Sequence, residues 1–136
     1  MKSLKAQIEA IAKKKMAEID KASRATLIRL TGRIIQETPY ATGRAKGNWL
    51  GAYGSADTSV YYDVSDDRQG SKAKSDVNEK LGSINFGSEP FYFTNSLPYI
   101  QRLEYGWSAQ KPNGMLRRTL QTFDKVYKEE FKRYVS

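Results

Sequence analysis

The sequence predicts an α+β domain, in which a small antiparallel sheet is packed by a long N-terminal helix and a C-terminal helix. Apolar residues recur at helical spacing over residues 3–37 and again over 114–134. Short aromatic and β-branched runs, punctuated by glycine and proline, lie between them. Helices that bracket a run of strands segregate to one face of the sheet, here a sheet of three or four strands. At 136 residues the whole chain, 1–136, reads as one domain with a modest core.

The first helix is carried by Leu4, Ile8, Ala12, Met16, Ile19, Leu27, Leu30 and Ile34. Lys13, Lys14 and Lys15 form a basic turn in its middle, and the stripe weakens near Ser23. Thr38 precedes Pro39, which disfavours helical backbone, so the helix stops there. So long a stripe exceeds what a domain of this size can cover. The first half, about residues 1–22, is therefore expected to pack against a neighbouring subunit.

Residues 38–47 read as a loop holding Arg44 and Lys46, and Asn48–Tyr53 as a strand with Trp49 as a core or interface anchor. Gly51 weakens that strand and suggests a bulge or a close approach of another backbone. Ser59–Val64 reads as a short strand, and 66–72 as a polar surface loop. A short helix capped by Ser75 or Asp76 runs to about Leu81, with Val77 and Leu81 four apart. Ile84–Phe86 and Phe91–Thr94 are strand pieces, the second the stronger. In 93–116, Asn95 and Ser96 can cap backbone donors, Pro98 suits a first helical position, and Ile100 and Leu103 share a face. Gly106 can end that turn, Trp107 follows, and Pro112-Asn113-Gly114 is turn chemistry. In the final helix Leu116, Leu120, Phe123, Tyr127, Phe131 and Tyr134 form one stripe, read as core.

Composition excludes several classes of function. There is no cysteine, hence no disulfide framework or thiolate metal site, and no histidine, the commonest general base. No apolar run approaches the roughly 20 residues of a spanning helix, so no membrane partner is expected. The lysine-rich N-terminus lacks an apolar signal core, so no export is expected. Asp66-Asp67 could hold a hard cation, but adjacent loop carboxylates more often keep a loop solvated. Glu130 and Lys132, two apart on a helix, do not face the same way. No phosphate-cradling glycine loop occurs. No enzymatic activity, cofactor or metal is expected.

The formal net charge of +8 is unevenly spread. Residues 1–37 carry nine Lys/Arg against four Asp/Glu, 38–113 carry eight of each, and 114–136 carry six against three. The basic excess therefore lies on the two helices, with Lys13, Lys14 and Lys15 as candidate DNA-facing residues. Its plainer reading is a solvated helix face. A sequence-independent nucleic-acid-binding protein is the alternative function, supported also by Arg117-Arg118 and nine tyrosines. Arg102 and Glu104 flank Leu103 and can each pair within the chain or across an interface. Trp107 is equally open to an interface or a core reading.

Two separated motifs carry a resemblance. The run Asn95-Ser96-Leu97-Pro98-Tyr99-Ile100-Gln101-Arg102-Leu103-Glu104-Tyr105-Gly106-Trp107-Ser108, continued by Gln110, Pro112, Gly114 and Met115, resembles the signature of neck proteins from tailed bacteriophages. Thr38-Pro39, Thr42-Gly43-Arg44-Ala45 and Gly47-Asn48-Trp49 are similar to that family's other marker. The family comprises tail-completion, or head–tail joining, proteins. The resemblance covers mainly 30–52 and 91–131, while 54–88 has no matching marker.

The resemblance implies a small α+β domain without enzymatic activity, present in several copies in a ring of six or twelve around the DNA channel. It implies partners among connector or adaptor proteins and tail-terminator or tail-tube proteins, with non-specific contact to genomic DNA. It implies residence at the head–tail junction of a virion after synthesis in the bacterial host cytoplasm. The subunit or partner interface would include Arg44, Trp49, Tyr99, Arg102, Glu104, Trp107, Lys111 and Met115.

Overall fold

The computed structural model describes residues 3–39, 44–62, 69–105 and 114–136. Its elements are α1 (Leu4–Glu37), α2 (Arg44–Gly47), β1 (Leu50–Tyr53), α3 (Ser71–Leu81), β2 (Phe91–Thr94), α4 (Ile100–Glu104), α5 (Leu116–Leu120) and α6 (Phe123–Tyr134). The α+β class is as predicted: a long N-terminal helix, an antiparallel sheet and a C-terminal helix.

Helix α1 spans 34 residues, about 51 Å at 1.5 Å per residue. Ser3 caps it by accepting from the Ala6 N–H at 3.1 Å. Its end is fixed at Thr38, whose N–H donates to Ile34 O and whose hydroxyl donates to the same carbonyl at 2.6 Å. Pro39 then prevents continuation. From Ala22 to Ile35 one side of the helix is buried, through Ala22, Thr26, Leu30, Thr31, Ile34 and Ile35. Helix α6 packs along it, with Arg29 reaching both Glu129 and Glu130. Helix α3 lies against both α1 and β1. Arg24 closes the end of α3 by donating to Leu81 O and Ser83 O, each at 2.8 Å. A cation there complements the helix dipole.

Among the described residues the sheet has two strands, antiparallel, with Gly51 opposite Phe93 and Tyr53 opposite Phe91. Three or four were predicted, and the missing strands have local causes. At 59–62 the chain has no strand: Tyr61 pairs with a side chain, Asn48, instead of a strand. Residues 63 and 64 lie outside the described residues. Ile84 and Asn85 form a turn and Phe86 makes only an isolated bridge to Glu89, the segment being held by the Asn85 N–H on Ser83 Oγ and the Ser88 hydroxyl on Asn85 O. Such short polar bonds compete with strand pairing. At Gly51 the close neighbour is a ring rather than a backbone: a Cβ there would lie 2.9 Å from Phe91.

Two helix readings are also corrected. Helix α3 begins at Ser71, so Ser75 and Asp76 lie inside it, where Asp76 pairs with Lys72 at 3.0 Å. Its buried residues, Ala73, Val77 and Leu81, keep the four-residue spacing. The single helix expected over 114–134 is two, broken at Gln121-Thr122, where the Thr122 hydroxyl donates to Thr119 O. Most of the stripe read as core is not buried, Leu116 at its start being the member that packs against the centre. Leu120, Phe123, Phe131 and Tyr134 are exposed, and α6 instead buries Val126 and Glu130. The α1 surface opposite is small and polar at Ala22 and Thr26 and offers Arg29 to the glutamates, so a narrow face fits better than a row of rings.

The buried centre is Ile34, Ile35, Trp49, Ala73 and Met115, with Phe93, Ile100, Leu103 and Leu116 packed around it. No helix among the described residues is long and apolar enough to cross a membrane.

Candidate functional site

The two sequence motifs converge on one corner, where the end of α1, α2, both strands, α4 and α5 meet. Asn48, in the short link from α2 to β1, is fully buried. Its amide nitrogen donates to Arg44 O (2.8 Å) and Tyr61 O (2.7 Å), and its oxygen accepts from the Tyr61 N–H (2.7 Å). One side chain thus satisfies backbone groups as a strand partner would. Next to it, Trp49 stacks on Phe93, with centroids 4.6 Å apart and planes 11° from parallel. Its indole N–H donates to Thr38 Oγ1 at 2.9 Å. Thr38 of the first motif is therefore both the stop of α1 and the polar anchor of Trp49. Lys46 lays its amine on Gln36 O at 2.7 Å, a cation at the C-terminal end of α1. The second motif enters through Asn95, whose amide donates to Ala45 O at 2.8 Å while its oxygen accepts from the Leu97 N–H.

Glu104 is the centre of the second motif. It is 7% exposed. Its Oε1 accepts from the N–H groups of Met115 (3.0 Å) and Leu116 (2.8 Å). Its Oε2 accepts from the Arg117 N–H (3.0 Å) and the Arg117 Nε–H (2.7 Å). Arg117 also donates to Glu104 O and stacks over Tyr105 at 4.7 Å. Burial would raise the carboxyl pKa, but the Arg117 guanidinium and the three backbone N–H groups outweigh it and hold it below the usual value. Gly114, with φ of +84°, makes room: a Cβ there would lie 2.6 Å from Glu104 O. The arrangement is a clasp between the end of α4 and the start of α5. With every acceptor site used and the carboxyl held ionised, it suits holding the chain together rather than proton transfer.

The residues predicted to form a partner interface therefore divide. Trp49, Glu104 and Met115 are buried within the protomer and make internal contacts there. Polar and aromatic residue types serve both purposes, and only burial distinguishes them. Arg44 is half-buried and lies over the Tyr62 ring at 5.2 Å. Tyr99 is half-buried and Arg102 exposed. Trp107 and Lys111 lie outside the described residues, as do Asp66 and Asp67. Lys13 and Lys14 are exposed, and Lys15 bonds the Ser136 carbonyl and approaches Glu18. Among the described residues no group of three His, Cys, Asp or Glu side chains is placed to hold a metal.

Sequence reasoning missed Arg24, Lys46 and Asn48 as structural groups. A motif asparagine before a tryptophan was the available signal for Asn48. Nothing local signalled Arg24, whose carbonyl partners are 57 and 59 residues away. The apolar face of α1 is buried from Ala22 onward and bare before it: Leu4, Ile8, Ile11 and Met16 are each more than half exposed. No protein-family model, curated protein or solved structure matches this chain.

Proposed function

We propose that this protein is a structural component of a tailed-bacteriophage virion, a neck or tail-completion protein that joins the tail to the head connector. Several copies would form a ring around the DNA channel, against connector or adaptor proteins on one side and tail-terminator or tail-tube proteins on the other. The observation that carries the reading is the convergence of the two motifs on which the resemblance rests. Trp49 from one and Met115 from the other share a single core cluster, and Asn95 is bonded to Ala45. Separated segments that build one substructure belong to one inherited unit more readily than two chance matches do. The bare apolar face of Leu4, Ile8, Ile11 and Met16 supports assembly, because single exposed apolar residues are ordinary but a row on one helix face marks a contact. Ring contacts join unlike patches of one chain around a closed rotation.

The test is to tag the chain and locate it in purified particles by electron microscopy. Density at the head–tail junction is expected, and absence from particles refutes the proposal. Trp107→Ala should leave the isolated chain folded and reduce its incorporation, whereas an equal loss of thermal stability would make Trp107 a core residue.

The exposed Lys13 and Lys14 favour a second reading, a sequence-independent nucleic-acid-binding protein. It requires affinity for DNA that falls steeply with added salt.

A further inference from the structure

We infer that the edge of β1 turned away from β2, where Gly51 is buried and its carbonyl is held by Lys80, is a docking groove for an extended, lysine- or arginine-bearing strand of another protein that displaces that amine. A cavity of about 1010 Å³ runs along residues 49–53, walled by α3 on one side and by Asp57 and Tyr61 on the other, with no β2 residue lining it. The strand register shows which backbone groups face it. Gly54 N–H donates to Pro90 O at 3.0 Å, so the pairs Ala52/Tyr92 and Leu50/Thr94 are the hydrogen-bonded ones. The N–H and C=O groups of Gly51 and Tyr53 therefore point away from β2, into the groove. The Gly51 carbonyl accepts from Lys80 Nζ at 2.5 Å. The N–H groups of Gly51 and Tyr53 have no hydrogen-bond partner among the described residues. A strand laid along this edge would supply those partners, the mode in which main-chain bonds give affinity and side chains give selectivity.

The charge around the edge selects the occupant. In a chain of net charge +8 this groove is lined by four carboxylates, Asp57, Asp76, Glu79 and Glu89, against two amines. Both amines are engaged, Lys72 with Asp76 and Lys80 with the Gly51 carbonyl. Glu79 and Glu89 are exposed and have no ion pair among the described residues. An incoming strand with basic side chains at alternate positions meets this surface, and an acidic one is repelled. Lys80 guards the edge in the absence of the strand, a common device against unwanted pairing. An incoming N–H would replace its amine on Gly51 O.

The probe is the capped hexapeptide Lys-Thr-Lys-Val-Lys-Thr, with Glu-Thr-Glu-Val-Glu-Thr as its opposite, titrated into the full-length isotopically labelled protein and followed by NMR. Saturable shifts centred on the Gly51 and Tyr53 amides are expected for the basic peptide only, weakening as salt is added. The exposed double variant Glu79→Lys, Glu89→Lys should weaken binding by roughly tenfold or more, the effect of losing favourable charge contacts while adding repulsive ones. Lys80→Met, which frees the Gly51 carbonyl, should tighten it. Failure of the basic peptide to shift these amides at millimolar concentration overturns the inference, as does equal binding of the acidic peptide or an unchanged affinity in the double variant. Shifts at the same amides that grow with protein concentration alone would assign the groove to a second copy of this chain and overturn the choice of occupant.

Discussion

Removing the charge of Glu104 while keeping its shape tests whether the α4–α5 clasp holds the second motif together. In Glu104→Gln one oxygen can still accept from the Met115 and Leu116 N–H groups, but an amide nitrogen now faces the two Arg117 donors. A hydrogen bond to a charged group contributes about 1.5–3 kcal/mol, and two are replaced by a donor–donor contact that relaxation partly relieves. The expected cost is about 2–3 kcal/mol for Gln, and about 3–5 kcal/mol for Ala, which leaves buried donors without a partner. Against a total stability of roughly 5–15 kcal/mol, the Gln variant should melt on the order of 10 °C lower.

The pH dependence supplies a second arm. The carboxyl pKa is lowered in the folded protein, so the clasp's stabilisation is fully present above the unfolded-state value near 4.5 and is lost as pH falls through the folded value. The gap between wild type and Glu104→Gln should therefore be widest near neutrality and close in acid. Urea unfolding followed by circular dichroism at pH 7 and at decreasing acid pH measures both. A loss under about 1 kcal/mol at neutral pH, or a gap that ignores pH, would refute the clasp.

The same corner yields further expectations. Gly114→Ala forces a side chain into left-handed backbone and against Glu104. It should cost about 2–4 kcal/mol in urea unfolding and less in a Glu104→Ala background, because the two residues share one contact. Trp49→Phe keeps the stack on Phe93 but loses the bond to Thr38, and should lower stability by about 1–3 kcal/mol without changing the far-ultraviolet spectrum. Glu130→Gln has the opposite expectation. Glu130 Oε2 is buried without a hydrogen bond, with Arg133 3.7 Å away, while Oε1 accepts from Arg29 at 3.1 Å and Arg29 also holds Glu129. Removing that charge should be neutral or stabilising by up to about 1 kcal/mol in thermal melts, and a loss above 2 kcal/mol would show that the Arg29 bridge matters more than the orphaned oxygen.

Periodicity made α1 legible almost to the residue, because its start, its stripe and its stop at Thr38-Pro39 are all local signals. The strands at Leu50–Tyr53 and Phe91–Thr94 were legible as dense aromatic runs. The fate of the α6 stripe was not. A period identifies which residues share a face, whereas burial depends on the surface opposite, here set by residues about 100 positions earlier. The supposed extra strands failed for the converse reason, since the side chains of Asn48, Ser83 and Ser88 took backbone bonds that strand pairing needs.

The candidate site shows a subtler limit. Trp49 is a residue type common at interface hot spots, and Glu104 and Met115 stand in the second motif, yet all three are used inside the protomer. A motif fixed by internal packing identifies the fold and leaves the partner unspecified. The two surfaces proposed above for partners lie largely outside the two motifs: the bare face of α1 from Leu4 to Met16, and the acidic edge of β1 rimmed by Glu79 and Glu89. One is apolar on a basic helix and the other is acidic with backbone donors that lack a partner among the described residues, so they would select different neighbours. Substitutions on one should leave contacts made by the other intact, which allows the two to be separated experimentally.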